Sequence, residues 1–398
     1  MLYSKCKQPY PKGKEVIRIR NLKSRTWAEI DLDSIEYNYR ALTEIYKEKA
    51  KICCVVKANA YGHGAAKVSR LLESLGADFF AVADIYEALQ LREAGISKPI
   101  LILGYTPPEN AELLAKNKLS QCVFSYEYAK SLADVATLHD VRISVHFKLD
   151  TGMGRIGFVF RHSKDESLSE LLKACALEPF IHEGIFTHFP SSECSGSGER
   201  FTKQQYDRFC EVVELLARSG YTFDIRHCSN SAAAIYDPQY ALDMVRVGLA
   251  LFGALPSSER ASEFVPKETM TLKTVISNIK TVNVGDSIGY GCEYIAKKDM
   301  KVATVSIGYA DGFLRTSFPN GIKLTVNGKE CSVVGRVCMD QAMIDVTDLE
   351  DIRVGDEAIV FGSGGANSLF DYATKSGTIP HEVLCLVGAR VPRVYIQR

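Results

Sequence analysis

The 398-residue chain has no net charge, 48 Lys and Arg standing against 48 Asp and Glu, so no global field draws it to nucleic acid or to an anionic membrane surface. No stretch of it approaches the ~18 uninterrupted apolar residues of a membrane helix. None of its 12 cysteines forms a CxxC pair, which removes the spacings of metal knuckles and redox dithiols, and no metal is expected. Thiols so dilute fit buried free cysteines in a reducing compartment, with the cytoplasm as the default, better than a secreted disulfide framework. The first 25 residues carry eight Lys or Arg against one acid, Glu15, yet contain no apolar segment of a secretory signal. They read as a basic N-terminal extension. A fixed repeat period and low-complexity tracts are also missing.

What is present is ordinary soluble composition, 46% hydrophobic and 24% charged with a mean hydropathy of −0.04. The length is about two to three times that of a usual single domain, which calls for one large barrel or two domains. Short apolar runs recur at 53–58, 79–84, 100–104, 121–125, 143–150, 181–188, 223–230 and 244–251. Between them lie helical stripes, such as 67–73 with Val68, Leu71, Leu72 and the following Leu75, and 205–217 with Phe209, Val212, Val213 and Leu216. Continuous rather than alternating runs suit parallel strands buried on both faces. Eight such units predict an α/β chain built on a (β/α)8 barrel of the TIM type, with a doubly wound sheet as the competitor.

Ahead of the first unit, 26–32 alternates like a strand, and Asp33 or Ser34 can cap the helix that carries Ile35, Tyr39, Leu42 and Ile45. Segment 256–266, rich in Ser, Pro and charge, reads as a linker. Beyond it come β-branched alternations at 271–284, 301–307, 322–326, 331–337, 343–346 and 357–361, with Asn327-Gly328 as a two-residue hairpin signal. The expected division is a basic extension over 1–25, a barrel over 26–262 and a mostly β C-terminal domain over 263–398.

In a barrel of this kind, reacting groups gather where the strands end, because every βα loop leaves there. The first run ends in Val55-Val56-Lys57-Ala58-Asn59-Ala60-Tyr61-Gly62-His63-Gly64. A lysine behind apolar strand residues is costly to desolvate, which favours the neutral amine needed for a Schiff base; alternatively it snorkels to the rim or pairs with a carboxylate. The fifth run ends in Lys148-Leu149-Asp150-Thr151-Gly152-Met153-Gly154-Arg155-Ile156-Gly157, the sixth in Thr187-His188, the seventh in Ser229-Asn230-Ser231, and the eighth leads through Arg246-Val247-Gly248. Small hydroxyl and glycine residues at the last two runs match the place where barrels hold a phosphate through backbone N–H groups. Lysine, phosphate cradle and cationic side chains together point to pyridoxal 5'-phosphate (PLP).

The ordered series of motifs resembles the alanine racemase family, PLP enzymes of fold type III. The likeness runs from 55–64 through 150–157, His188, 229–233, 246–253, 289–291, 307–312 and 335–341, nearly everything after residue 25. It implies an isomerase that interconverts L- and D-alanine, a cell-wall precursor, by a two-base mechanism. Lys57 would carry the cofactor and act as base on one face, and Tyr290 as base on the other; a chain from Tyr290 through His188 to Arg246 would favour the phenolate, which free tyrosine reaches only near pH ~10. Arg246 would face the pyridine nitrogen, and an arginine hydrogen-bonds that nitrogen without protonating it.

The resemblance further assigns Arg155 to the cofactor's phenolic oxygen and the substrate carboxylate, and Lys148 to the position of a carbamylated lysine. Tyr61, Asn230, Ser231, Gly248 and Leu249 fall at the cofactor and phosphate site, and Tyr309, Met339 and Asp340 at the substrate entrance. With Tyr290, the last three would reach the lysine of a second subunit, so the likeness implies a head-to-tail homodimer with shared sites and a small amino acid as the other partner. One position departs from the pattern: His381 stands where the family has a phosphate-contacting tyrosine, and serine turnover alongside alanine is an alternative. A related PLP-dependent decarboxylase would need an acidic residue in place of Arg246 and a Glu-Pro-Gly-Arg stretch, and neither is found. A non-catalytic PLP-binding protein would resemble the barrel alone.

Overall fold

The computed structural model describes residues 24–47, 49–163, 166–257 and 260–397, so the basic extension up to residue 23 lies outside the described residues. After β1 (Thr26–Asp31) the strands run β2 (Lys51–Val55), β3 (Phe79–Val82), β4 (Ile100–Ile102), β5 (Leu119–Val123), β6 (Ile143–Asp150), the two-residue β7 (Phe158–Val159), β8 (Phe180–Phe186), β9 (Ile225–His227) and β10 (Met244–Val247). Eight of them are parallel in the order β10-β2-β3-β4-β5-β6-β8-β9. The remaining seam is drawn together by Asp243 N donating to Arg226 O and Arg246 N to Ser229 O, both at 3.0 Å. The barrel expected from eight apolar runs is therefore borne out, and the reason is visible in burial: every residue of β3, β4 and β5 is buried. Such strands have no face turned to water, so β3 and β4 read as continuous apolar runs, and β5 buries Ser120 and Gln121 among its apolar residues.

The covering helices follow the predicted stripes. Helix Ala65–Ser74 buries Val68 and Leu72, and helix Ser197–Arg218 buries Phe209, Val212 and Leu216. The first helix, Leu32–Tyr46, starts earlier than its sequence signal: Asp31, not Asp33 or Ser34, is the cap, its carboxylate accepting from Ser34 N at 2.9 Å. Ser34 then sits buried inside the first turn, where it cannot cap.

The second layer is built on β11 (Met270–Val282), followed by β12 (Ser287–Ile288), β13 (Tyr294–Ile295), β14 (Met300–Val305), β15 (Lys323–Val326), β16 (Lys329–Ser332), β17 (Ala342–Asp345), β18 (Glu357–Phe361) and β19 (Arg393–Ile396). Its main sheet has the order β16-β15-β18-β11-β1-β19, with β14 and β17 on the other half of β11. The hairpin at Asn327-Gly328 forms, both residues at positive φ (48° and 75°), the pairing of signs a two-residue turn between twisted strands needs. Two features were not foreseen: helices Leu369–Lys375 and Pro380–Leu386, and the placement of β1, which pairs antiparallel with β11 and parallel with β19 inside this second sheet. Within the expected linker, Arg260 is tied to the barrel, bonding Asp237 Oδ2 at 2.7 Å and Ser192 O at 2.8 Å. One buried apolar cluster runs through both layers, including Phe252 of the barrel and Met270, Leu272 and Phe361 of the sheet.

Candidate active site

Lys57 lies two residues beyond the end of β2, at the mouth of the barrel. The chain then turns the wrong way for L-residues: Ala58, Asn59, Ala60 and Tyr61 have φ of 52°, 55°, 54° and 50°. Each such residue costs roughly 1–2 kcal/mol against the right-handed form, so something must hold the turn. Glu87 does, accepting Ala58 N at 2.6 Å and Asn59 N at 3.4 Å on one oxygen and Ala83 N at 2.8 Å on the other. Asn59 Oδ1 accepts Ala65 N at 2.8 Å and so ties the turn to the helix behind it. Neither the left-handed turn nor Glu87 was anticipated, since Lys-Ala-Asn-Ala-Tyr carries no glycine until position 62. Burial first, then the Arg155 guanidinium, pushes the Lys57 ammonium below its ordinary range, against smaller opposing effects of Cys385 and Glu87.

Arg246, on β10 and only 4% exposed, is the hub of the mouth. Its Nη1 lies 2.8 Å from His227 Nδ1, and its Nη2 donates to Thr187 O at 2.8 Å and Cys228 O at 3.0 Å and lies 3.2 Å from His188 Nδ1. Among the described residues its Nε–H has no acceptor, which leaves that donor for another group. Because arginine only donates, His188 must accept on Nδ1 and hold its proton on Nε2. Burial, Arg246, Lys148, Arg155 and Lys57 all push the His188 imidazole well below its usual range, so it is neutral.

Lys148, on β6, is 2% exposed, donates to Leu149 O at 3.2 Å and lies 5.0 Å from the Phe186 ring centre. Burial first and Arg246 next lower its ammonium to about 7. Arg155 sits exposed on the glycine-rich loop after β6. The carboxylate on that loop, Asp150, is already engaged by Arg161 at 2.5 Å and by the amides of Gly152 and Gly154 at 3.0 Å. Arg155 thus acts on Lys57, Lys148 and Arg246, and all four act on His188, with positive charge, a donor set suited to an anion.

The phosphate candidates follow the ends of β2, β9 and β10. Ser231 Oγ accepts Gly248 N at 2.9 Å, and a Cβ on Gly248 would stand 2.5 Å from Tyr61 Oη, so glycine is what lets the phenol approach. Leu249 follows, 3% exposed. The Tyr61 ring is 5.0 Å from Phe252 and 5.8 Å from His381, which places His381 beside the cradle; burial, then Lys57, lowers its imidazole. Asn230 is spent elsewhere: its side chain accepts Ala233 N at 3.0 Å as a helix cap and donates to Phe189 O at 3.0 Å.

Tyr290, Tyr309 and Met339 belong to the second layer and are 65%, 42% and 54% exposed. Tyr290 stands between Gly289 and Gly291, both at φ 77°. Asp340, next to Met339, is held by Arg390 at 2.7 Å and its carbonyl by Arg25 at 2.9 Å. Among the described residues, no hydrogen bond, ion pair or ring contact within the chain joins Tyr290, Tyr309 or Met339 to Lys57, Arg155, His188 or Arg246.

Two family models match the chain, the alanine racemase N-terminal domain over residues 30–256 and the alanine racemase C-terminal domain over 269–395. The chain belongs to the alanine racemase family. The alanine racemase of Desulforamulus reducens is 42% identical over 376 residues, covering 94% of this chain and 100% of that protein. An alanine racemase of Methanococcus maripaludis is 41% identical over 378 residues, 93% of this chain and 98% of that one. Among solved structures, Clostridium difficile 630 alanine racemase superimposes with a TM-score of 0.89 at 40% identity, covering 94% and 97% of the two chains. The Bacillus anthracis alanine racemase with bound L-Ala-P gives 0.88 at 34% identity, covering 95% and 96%. The resemblance, the barrel with its β-rich second layer, and the racemase class of enzyme expected from the sequence are thereby borne out.

Proposed function

We propose that this member of the alanine racemase family interconverts L- and D-alanine with PLP held at the barrel mouth. The observation that carries the reading is the convergence of Lys57, Lys148, Arg155 and Arg246 on His188 at the strand ends, with the Lys57 amine shifted toward its neutral form. The residues fit the group. A cluster of cations needs anions, and PLP with an amino-acid substrate brings a phosphate, a phenolic oxygen and a carboxylate. Ser231, Gly248, Leu249, Tyr61 and His381 would hold the phosphate, Arg155 the phenolic oxygen and substrate carboxylate, and the free Nε–H of Arg246 the ring nitrogen. When bound, PLP supplies a carbonyl for an amine and a conjugated ring that delocalises the charge left at the α-carbon.

The chain's own residues then divide the proton work. Lys57 Nζ takes or returns the α-proton on one face. For inversion a second base must serve the other face, and Tyr290 of the partner subunit supplies it in a head-to-tail homodimer. The exposure of Tyr290, Tyr309 and Met339 supports such a shared site. His188, with its proton on Nε2, offers the donor that stabilises the phenolate. Lys148, near neutral at about 7, has the free amine that adds carbon dioxide, releasing one proton and leaving a carbamate to offset the surrounding cations. Side chains of 26–262 provide the barrel mouth and those of 263–398 the entrance.

His381 beside Tyr61 favours one variation, turnover of serine alongside alanine. No helix of the described residues is long and apolar enough to cross a membrane, and the dilute thiols support a cytoplasmic enzyme. Incubation of the purified protein and PLP with L-Ala or L-Ser, followed by chiral chromatography, tests the reading. D-Ala should appear; if neither substrate is inverted, it fails.

A further inference from the structure

Behind Arg246, the barrel interior carries an ionisable chain that the proton work above does not use. His227 Nε2 lies 2.9 Å from His146 Nδ1, and His146 Nε2 lies 3.0 Å from Glu183 Oε2. Both imidazoles are fully buried, and the Ser120 hydroxyl donates to the same carboxylate oxygen. Polar groups in a barrel core are costly unless every donor meets an acceptor.

We propose that Glu183 is a positioning residue for Arg246, acting through a one-way hydrogen-bond wire from Arg246 to His227 to His146 to Glu183. The direction is fixed at both ends. A guanidinium can only donate, so His227 accepts on Nδ1 and, being neutral, carries its proton on Nε2. That proton points at His146 Nδ1, which must accept, so His146 carries its own proton on Nε2. An ionised carboxylate can only accept, and it receives that proton's bond. No other assignment pairs every donor with an acceptor.

The surroundings support this order. Burial, Arg246, His146 and Lys148 hold the His227 imidazole well below its usual range, hence neutral. Burial raises the Glu183 carboxyl, but His146, Ser120 and Lys51 outweigh it, and the group ends below its ordinary value, hence ionised. Space for the crossing comes from glycine: a Cβ on Gly184 would stand 2.3 Å from His146 Nδ1. The strand register between β6 and β8 also shifts between Val145 and His146. Glu183 lies on β8, five residues before His188, which follows the end of that strand, and so stands up to roughly 16 Å toward the far end of the barrel. It therefore touches neither substrate nor cofactor.

Removing the terminal acceptor frees the whole wire. His146 can then move its proton to Nδ1, His227 must accept from it, and a proton on His227 Nδ1 would confront the Arg246 N–H. The guanidinium would lose the partner that holds its fork. The inference rests on the reading that Arg246 meets the cofactor ring, and the test separates the two.

Full-length protein with 15N-labelled histidine, with and without PLP, is measured by long-range 15N–1H NMR between about pH 6 and 8. Both imidazoles should carry a proton on Nε2 and accept on Nδ1, and His227 should stay neutral across this range. Wild-type His227 protonated on Nδ1, or an imidazolium at either residue, overturns the wire without any variant. Glu183→Leu should shift His227 away from the Nε2 form and lower kcat about tenfold with KM within about twofold. Glu183→Gln, which keeps an accepting oxygen, should restore the tautomer and part of kcat. An unmoved tautomer in Glu183→Leu, or an unchanged kcat once it has moved, overturns the positioning role. If the tautomers are as stated but alanine is not inverted, the functional reading fails and the wire stands.

Discussion

The Nη2 of Arg246 lies 3.2 Å from Nδ1 of His188, and that contact dictates where His188 keeps its proton. With Nδ1 accepting, the Nε2–H is the donor left over, and among the described residues it meets no acceptor. In the proposed mechanism that donor serves the phenol of Tyr290 from a second subunit.

Tyr290→Phe should therefore bind PLP normally yet lose exchange of the α-proton from one enantiomer of alanine far more than from the other, followed by loss of deuterium in each direction. Small and equal losses would speak against two bases.

Lys57→Ala should lose the visible absorption of bound cofactor and racemisation together, read by spectrophotometry and chiral chromatography. Mixed and re-equilibrated with Tyr290→Phe subunits, it should recover about a quarter of wild-type activity, since about half the dimers are mixed and each has one intact site of two. No recovery would exclude shared sites.

Glu87→Ala hands two exposed backbone N–H groups of the left-handed turn to water and should cost about 0.5–1.5 kcal/mol in urea unfolding. PLP affinity should fall with it, because Lys57 enters that turn. Glu87→Gln, with one accepting oxygen, should fall between the two. A wild-type PLP affinity in the alanine variant would remove Glu87 from the positioning of Lys57.

Lys148 has a folded pKa lowered from 10.5 to about 7. The unfolded chain then binds more protons than the folded one between those values, so stability rises with pH across that window. The penalty for burying the ammonium is fully present below about 7 and is relieved as pH approaches 10.5. In buffer free of carbon dioxide, Lys148→Met should lack that part of the slope in denaturant titrations at acidic and alkaline pH. Bicarbonate should add the mass of one carbon dioxide to the wild type only.

His381→Tyr should tighten phosphate binding and lower the ratio of serine to alanine turnover, measured as relative kcat/KM. An unchanged ratio would take His381 out of substrate choice.

Much of this molecule was legible in one dimension. A strand buried on both faces is drawn mainly from apolar residues, so β3 and β4 announced themselves, and the residues just past such runs, Lys57, His188 and Ser231, had to converge once eight strands closed. The cradle glycine Gly248 and the hairpin at Asn327-Gly328 were equally readable, because each answers a local backbone demand. Other relationships have no local signature. Glu87 meets Ala58 across 29 residues, His146 meets His227 across 81, and Thr26 of β1 meets Thr274 across 248. Asp31 displaced Asp33 and Ser34 as a cap because β1 ends in the second sheet, a fact no window of sequence contains. Strand and helix periods follow from which faces must leave water, and the chain alone determined those. Which buried donor finds which acceptor depends on how the strands curl round, and only the closed barrel decided it.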